Sequence, residues 1–130
     1  MNEPIITVSG LRGIVGETLT PDVASRYTRA FLSQLPSGPI VVTQDGRHTG
    51  PMLADAIAAA VTAAGRSCLL GGVAATPTTG VLVRTANASG GIQISASHNP
   101  VQYNGMKLFS AEGRVLPAGE GQRVLDQYHK

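Results

Sequence analysis

GGIQISASHNPVQYNGMKLF, residues 90–109, is the stretch whose reading decides the fold. Its apolar run from Gly91 to Ser95 reads as a strand, and Ser, His, Asn and Pro then supply turn chemistry. Tyr103-Asn104-Gly105 is a turn signal, and Met106 to Phe109 reads as another strand. The two strands are separated by only about ten residues, too few for a crossover helix, so they pair as an antiparallel hairpin.

Working outward, the chain alternates strand and helix. Ile5 to Val8 is a first strand, and Thr20-Pro21-Asp22 provides an N-cap, a first-turn proline and an acidic residue for a helix over Pro21–Leu35. Pro36-Ser37-Gly38-Pro39 breaks it, and Ile40 to Thr43 forms the second strand. A helix from Pro51 to Ala64 carries Leu53, Ile57 and Val61 on one face among alanines, and Gly65 closes it. Ser67 to Leu70 is the third strand. Thr76-Pro77 opens a third helix through Ala86, and the tail from Gly119 is a short helix or a frayed end. Strands one to four, each but the last followed by a helix, predict an α/β fold: three-layer α/β/α, with a mainly parallel mixed sheet and an antiparallel edge strand. Residues 1–130 form a single domain.

Composition limits the function classes. Apolar residues make up 42% and charged residues 14%, a globular balance in which scarce aromatics leave the core to Ala, Val, Leu and Ile. A net charge of +2 without any basic run argues against nucleic-acid binding, while leaving room for a small anion. The N-terminus lacks a signal pattern and no apolar run reaches spanning length, so the expected setting is cytoplasmic, with no membrane partner. Cys68 sits in Cys68-Leu69-Leu70 and is expected to be a buried strand thiol. Asn87-Ala88-Ser89 fits a glycosylation sequon that carries no weight without a secretory signal.

In such folds ligands bind in loops beyond the carboxyl ends of the strands. These are Ser9 to Gly16, Asp45 to Thr49, Gly71 to Pro77 and Ser95 to Asn104. Arg12 and Arg47 are suited to bidentate phosphate contacts, and glycines let backbone N–H groups approach an anion. Ser97 is then the group that is phosphorylated or attacks. Lys107, across the hairpin, is placed to exchange protons with it. His98 has a plainer role open to it, hydrogen bonding within the loop, and Arg47 has one as the ion-pair partner of Asp45.

Ser95-Ala96-Ser97-His98-Asn99-Pro100 with Asn104-Gly105-Met106-Lys107 resembles the phosphoserine signature of the α-D-phosphohexomutases, the family of phosphoglucomutase, phosphomannomutase and phosphoglucosamine mutase. Leu11-Arg12-Gly13, Asp45-Gly46-Arg47 and Thr76-Pro77 resemble other stretches of that family, in family order. The hexapeptide is the specific part. The resemblance implies the N-terminal domain of a four-domain enzyme that interconverts hexose 1-phosphate and hexose 6-phosphate through a hexose 1,6-bisphosphate intermediate. Ser97 would carry the phosphoryl group and offer one of its oxygens to Mg²⁺. Lys107 would be the general acid/base, with His98 and Arg12 around the phosphoserine and Asn99, Arg47 and Asp45 ordering its loop. The partners implied are a hexose phosphate and the enzyme's remaining domains.

The chain departs from the family's pattern by lacking its aspartate-rich metal loop: the aspartates are Asp22, Asp45, Asp55 and Asp126, none closely spaced. The remaining Mg²⁺ ligands are therefore expected from a missing domain, and the domain alone is expected to be inactive. The sugar stays open, because Gly105 to Ser110 is similar to phosphoglucosamine mutases and Ser9 to Gly16 to phosphomannomutase/phosphoglucomutase. Three rival readings are weaker. A dinucleotide site would need G-x-G-x-x-G, whereas Gly10, Gly13 and Gly16 are spaced G-x-x-G-x-x-G. A serine hydrolase would need G-x-S-x-G, which is absent, and a nucleophile–base hydrogen bond that the adjacent Ser97 and His98 are ill placed to form. A non-catalytic phosphate-binding module remains as the alternative from another class.

Overall fold

A computed structural model describes residues 3–130. The elements in chain order are β1 (Ile5–Thr7), β2 (Gly10–Ile14), α1 (Pro21–Leu32), β3 (Ile40–Gln44), α2 (Gly50–Ala63), β4 (Cys68–Val73), α3 (Thr76–Thr85), β5 (Gly90–Ile94), β6 (Tyr103–Ser110) and α4 (Ala118–Tyr128). They build one sheet in the order β1-β2-β6-β5-β3-β4. β5, β3 and β4 are parallel, and β6 returns antiparallel to β5 as the hairpin reading requires. β2 runs antiparallel to β6, so β2, β3, β4 and β5 share one direction.

Several expectations change. Residues 9–16 are not an open loop after the first strand: Gly10–Ile14 is itself a strand, folded back on β1 and paired with β6. Its glycines serve close packing, since a methyl on Gly10 would strike the Met106 carbonyl and one on Gly13 the Thr18 hydroxyl. Tyr103-Asn104-Gly105 likewise is not a turn but the start of β6. The Asn104 side chain is wholly buried and donates from Nδ2 to Thr49 Oγ1 at 2.9 Å, a tertiary contact that local turn preference does not foresee.

Helix α1 starts as expected: Thr20 Oγ1 accepts the Val23 N–H at 3.2 Å, Pro21 opens the first turn, and Asp22 and Arg29 complement the dipole at the two ends. It stops at Leu32 instead of Leu35. Arg66 donates to the Leu32 and Leu35 carbonyls at 3.2 and 3.1 Å, taking up groups that a longer helix would have bonded internally. The tail forms an ordered helix, α4, whose Gly121 lies so close to the Val8 carbonyl that a methyl would not fit. Cys68 is half-buried rather than buried, because β4 is the edge strand. Partial burial still pushes its thiol pKa up.

Side chains alternate across the sheet. Leu11, Ile40, Val42, Ile92, Ile94, Met106 and Leu108 face α1, α2 and α4 and form the main core with Phe31, Leu53, Ile57, Val61 and Val124. The opposite face is covered only by α3, through a small cluster of Val41, Val83, Ala88 and Phe109. There Thr43 and Thr79 share a buried hydroxyl–hydroxyl bond of 2.8 Å. α3 packs on β3 and β5, away from the β2 side of the sheet. That half of the face stays open, and the candidate site lies on it.

Candidate functional site

Register places the open half of this face residue by residue. In the β2–β6 ladder Gly10 is opposite Lys107 and Arg12 is opposite Gly105, so each cation faces a glycine across the strand pair. Neither glycine has a side chain to shield the cation opposite it. A Cβ at Gly105 would also crowd the Ser95 carbonyl at 2.7 Å and the Arg12 Cβ at 3.2 Å. The result is a cleft of about 200 Å³ lined by Arg12, Lys107, Ser95, Ser97 and Asn99, with Thr7 and Ser9 of the β1–β2 hairpin on its rim. Among the described residues, neither the Arg12 guanidinium nor the Lys107 ammonium donates a hydrogen bond or joins an ion pair within the protein. Two uncommitted cations on a glycine floor suit an anionic ligand.

Ser97 stands at the edge of that cleft in the loop after β5. It is exposed and has φ +53, in the left-handed region that serine seldom occupies. Side chains fix the backbone around it. Asp45 Oδ2 accepts the Ala96 N–H at 3.4 Å, and Ser95 Oγ accepts the Ser97 N–H at 3.1 Å. Asn99 donates from Nδ2 and from its own N–H to the Ala96 carbonyl at 2.6 and 3.0 Å, closing the turn.

Arg47 ties the loop to β3. Its Nη1 donates to the Pro100 and Tyr103 carbonyls at 2.7 and 2.9 Å, and its Nη2 to the Ser97 and Asn99 carbonyls at 3.2 and 2.6 Å. Nε lies 3.7 Å from Asp45 Oδ2. Both readings of Arg47 thus meet in one side chain: it is the partner of Asp45 and it orders the loop. Its guanidinium is spent on the protein, so the direct phosphate contact expected of it is replaced by a positioning one. His98 is exposed on the far side of the loop, bordering a second cleft of about 630 Å³ with Asp45, Thr76, Gln93, Ser95 and Ser97. His48 and His129 are exposed and line neither cleft.

Sequence reasoning missed Ser95 and Gln93. Gln93 is 2% exposed; its Nε2 donates to the Ala74 carbonyl at 2.9 Å and its Oε1 accepts from Thr76 Oγ1 at 2.8 Å, anchoring the turn into α3. The signal was available: period-two alternation puts Gly91, Gln93 and Ser95 on one face, and a polar side chain in a central strand needs a partner.

Among the described residues no three His, Cys, Asp or Glu side chains are grouped to hold a metal ion. Asp45, the carboxylate nearest the loop, is committed to Arg47 and the Ala96 amide. The donors among the described residues do not by themselves make a Mg²⁺ site.

Residues 4–130 match the model of phosphoglucomutase/phosphomannomutase, alpha/beta/alpha domain I. The chain belongs to this family. It is 39% identical over 128 residues to the phosphoglucosamine mutase of Gloeothece citriformis (strain PCC 7424), covering 95% of this chain and 26% of that protein. Against the phosphoglucosamine mutase of Prochlorococcus marinus (strain MIT 9303) it is 42% identical over 114 residues, covering 86% of this chain and 24% of the other. A crystal structure of a phosphoglucomutase/phosphomannomutase family protein from Burkholderia thailandensis superposes with a TM-score of 0.77 at 28% identity, over 96% of this chain and 31% of that one. The chain therefore spans about a quarter of the length of the curated relatives it matches. Among the described residues no helix is long and apolar enough to cross a membrane.

Proposed function

We propose that this chain is the phosphoserine-bearing domain of a phosphohexomutase that interconverts hexose 1-phosphates and hexose 6-phosphates. The observation that carries the reading is the meeting of an exposed Ser97 hydroxyl with two uncommitted cations, Arg12 and Lys107, in one cleft. Phosphoryl transfer depends on positioning and charge neutralisation more than on covalent assistance, and this cleft supplies both.

In the proposed half-reaction a sugar hydroxyl attacks the phosphorus carried by Ser97. The new sugar O–P bond forms as the Ser97 Oγ–P bond breaks, and one proton moves from the sugar hydroxyl to the departing serine oxygen. Lys107 relays that proton between the two oxygens as the general acid/base. Arg12 neutralises charge on the transferring phosphoryl group, and His98 stands beside it. Arg47, Asp45 and Asn99 hold the loop. The second half-reaction repeats the transfer in reverse from the bisphosphate's other end, so the net change is an isomerisation. Mg²⁺, when bound, would offset phosphate charge; we assign it one ligand here, a Ser97 phosphate oxygen, and its others to parts of the enzyme beyond this domain.

The relatives named phosphoglucosamine mutase put glucosamine phosphate beside mannose and glucose phosphates as substrates to be tried. The test is to treat the full-length protein with hexose 1,6-bisphosphates of the three sugars and map phosphate by intact mass and peptide analysis. The expected result is about 80 Da added on Ser97, absent in Ser97→Ala, with turnover of at least one sugar phosphate. Sugar phosphate binding without any phosphoserine or turnover would overturn the reading in favour of a non-catalytic phosphate-binding module.

A further inference from the structure

Ser97 and Asn87 are the two non-glycine residues with positive φ among those described, at +53 and +52. Asn87 ends α3, where asparagine readily adopts this conformation. Serine does so at a cost of roughly 1–2 kcal/mol, so something must hold Ser97 there. Arg47 and Asp45 hold the carbonyl of Ser97 and the amide of Ala96. The amide of Ser97 itself has one acceptor among the described residues, the hydroxyl of Ser95 at 3.1 Å.

Ser95 is well placed to hold it. Its own N–H donates to the Gly105 carbonyl at 2.9 Å, so its backbone belongs to the end of the sheet rather than to the loop. A side chain rooted in the sheet reaches two residues forward to the strained position, a serine turn that pins the chain where the strand ends. Ser95 and Ser97 border both clefts, the one with Arg12 and Lys107 and the one with His98. The direction in which Ser97 leaves the sheet decides which cleft its hydroxyl serves.

We propose that Ser95 is a positioning residue: its hydroxyl oxygen holds the Ser97 amide, fixes the left-handed turn, and so aims the Ser97 oxygen at the Arg12–Lys107 cleft. The kinetic consequence rests on the phosphoryl-carrier reading of Ser97; the conformational one does not.

The oxygen is isolated by comparing Ser95→Thr with Ser95→Val in the full-length protein, since the two side chains share a shape and differ in the acceptor. The first readout is hydrogen exchange of the Ser97 amide. Exchange is expected to speed up about fivefold in Ser95→Val, the loss of one hydrogen bond, and to stay near the parent rate in Ser95→Thr. The second is phosphorylation of Ser97 by a hexose bisphosphate and subsequent turnover, with kcat about tenfold lower in Ser95→Val, KM within twofold, and Ser95→Thr close to the parent. Equal amide exchange in the two variants overturns the proposal, as does a Ser95→Val enzyme with parental kcat. A parent protein that takes no phosphate at all removes the mutase reading, and the exchange comparison then still decides the role of Ser95.

Discussion

Two loops of this domain are held by the same device. Arg47 donates to four backbone carbonyls, of Ser97, Asn99, Pro100 and Tyr103, and Arg66 donates to four others, of Leu32, Leu35, Pro36 and Gly38. In both, a planar guanidinium divides its two amino groups between two pairs of oxygens. The difference lies in what each loop does with its rigidity. The loop under Arg66 places its one positive φ on glycine, Gly38 at +145, and closes a helix end. The loop under Arg47 places its positive φ on Ser97, adds the Asp45 carboxylate, and leaves the hydroxyl exposed beside free cations. Arg66 relieves unbonded groups, whereas Arg47 helps maintain strain, which accumulates at functional sites when the surroundings over-determine it.

Five substitutions test that contrast, in decreasing order of effect. Arg47→Ala is expected to lower turnover of the full-length enzyme about a hundredfold, through kcat rather than KM, because loop geometry and not substrate binding is lost. Arg47→Lys should recover little of it, as three donors on a point charge do not span four carbonyls; steady-state kinetics would show a near-parental lysine variant if the clamp were only electrostatic. Arg66→Ala is expected to cost about 2 kcal/mol in urea unfolding while leaving kcat and KM within twofold, since its carbonyls lie on the α1–β3 connection. A large kinetic effect there would erase the distinction between the loops. Gly38→Ala should destabilise by about 1–2 kcal/mol, because a side chain at φ +145 is strained and would strike the Ser89 hydroxyl. Ser97→Gly should do the reverse, abolishing phosphoenzyme but stabilising the fold by about 1 kcal/mol as the left-handed penalty is lifted. A Ser97→Gly protein less stable than its parent would mean that no strain is stored at the serine.

Much of the frame was legible along the chain. Thr20, Pro21 and Asp22 mark the start of α1 through local capping chemistry, and the α2 stripe of Leu53, Ile57 and Val61 points into the core as its spacing requires. The β5–β6 hairpin follows from the shortness of the connection. Where the reading failed, the deciding interaction came from elsewhere in the chain. Gly10 and Gly13 read as an anion-binding loop because glycine carries no signature separating a turn from a tight strand crossing. The buried Asn104 looked like a turn residue until Thr49 supplied its partner from 55 positions away.

The sequence by itself determined the alternation of elements, the antiparallel return and the SASHNP loop with its family resemblance, because periodicity, capping and short connections act within a few residues. Only the tertiary structure decided that Arg12 lies on a strand, that Arg12 and Lys107 each face a glycine on a half-sheet α3 leaves bare, and that Arg47 is consumed in holding Ser97 in a left-handed turn. Those arrangements depend on strand register and on which layer stops short, and both are settled by pairings between residues far apart in the chain.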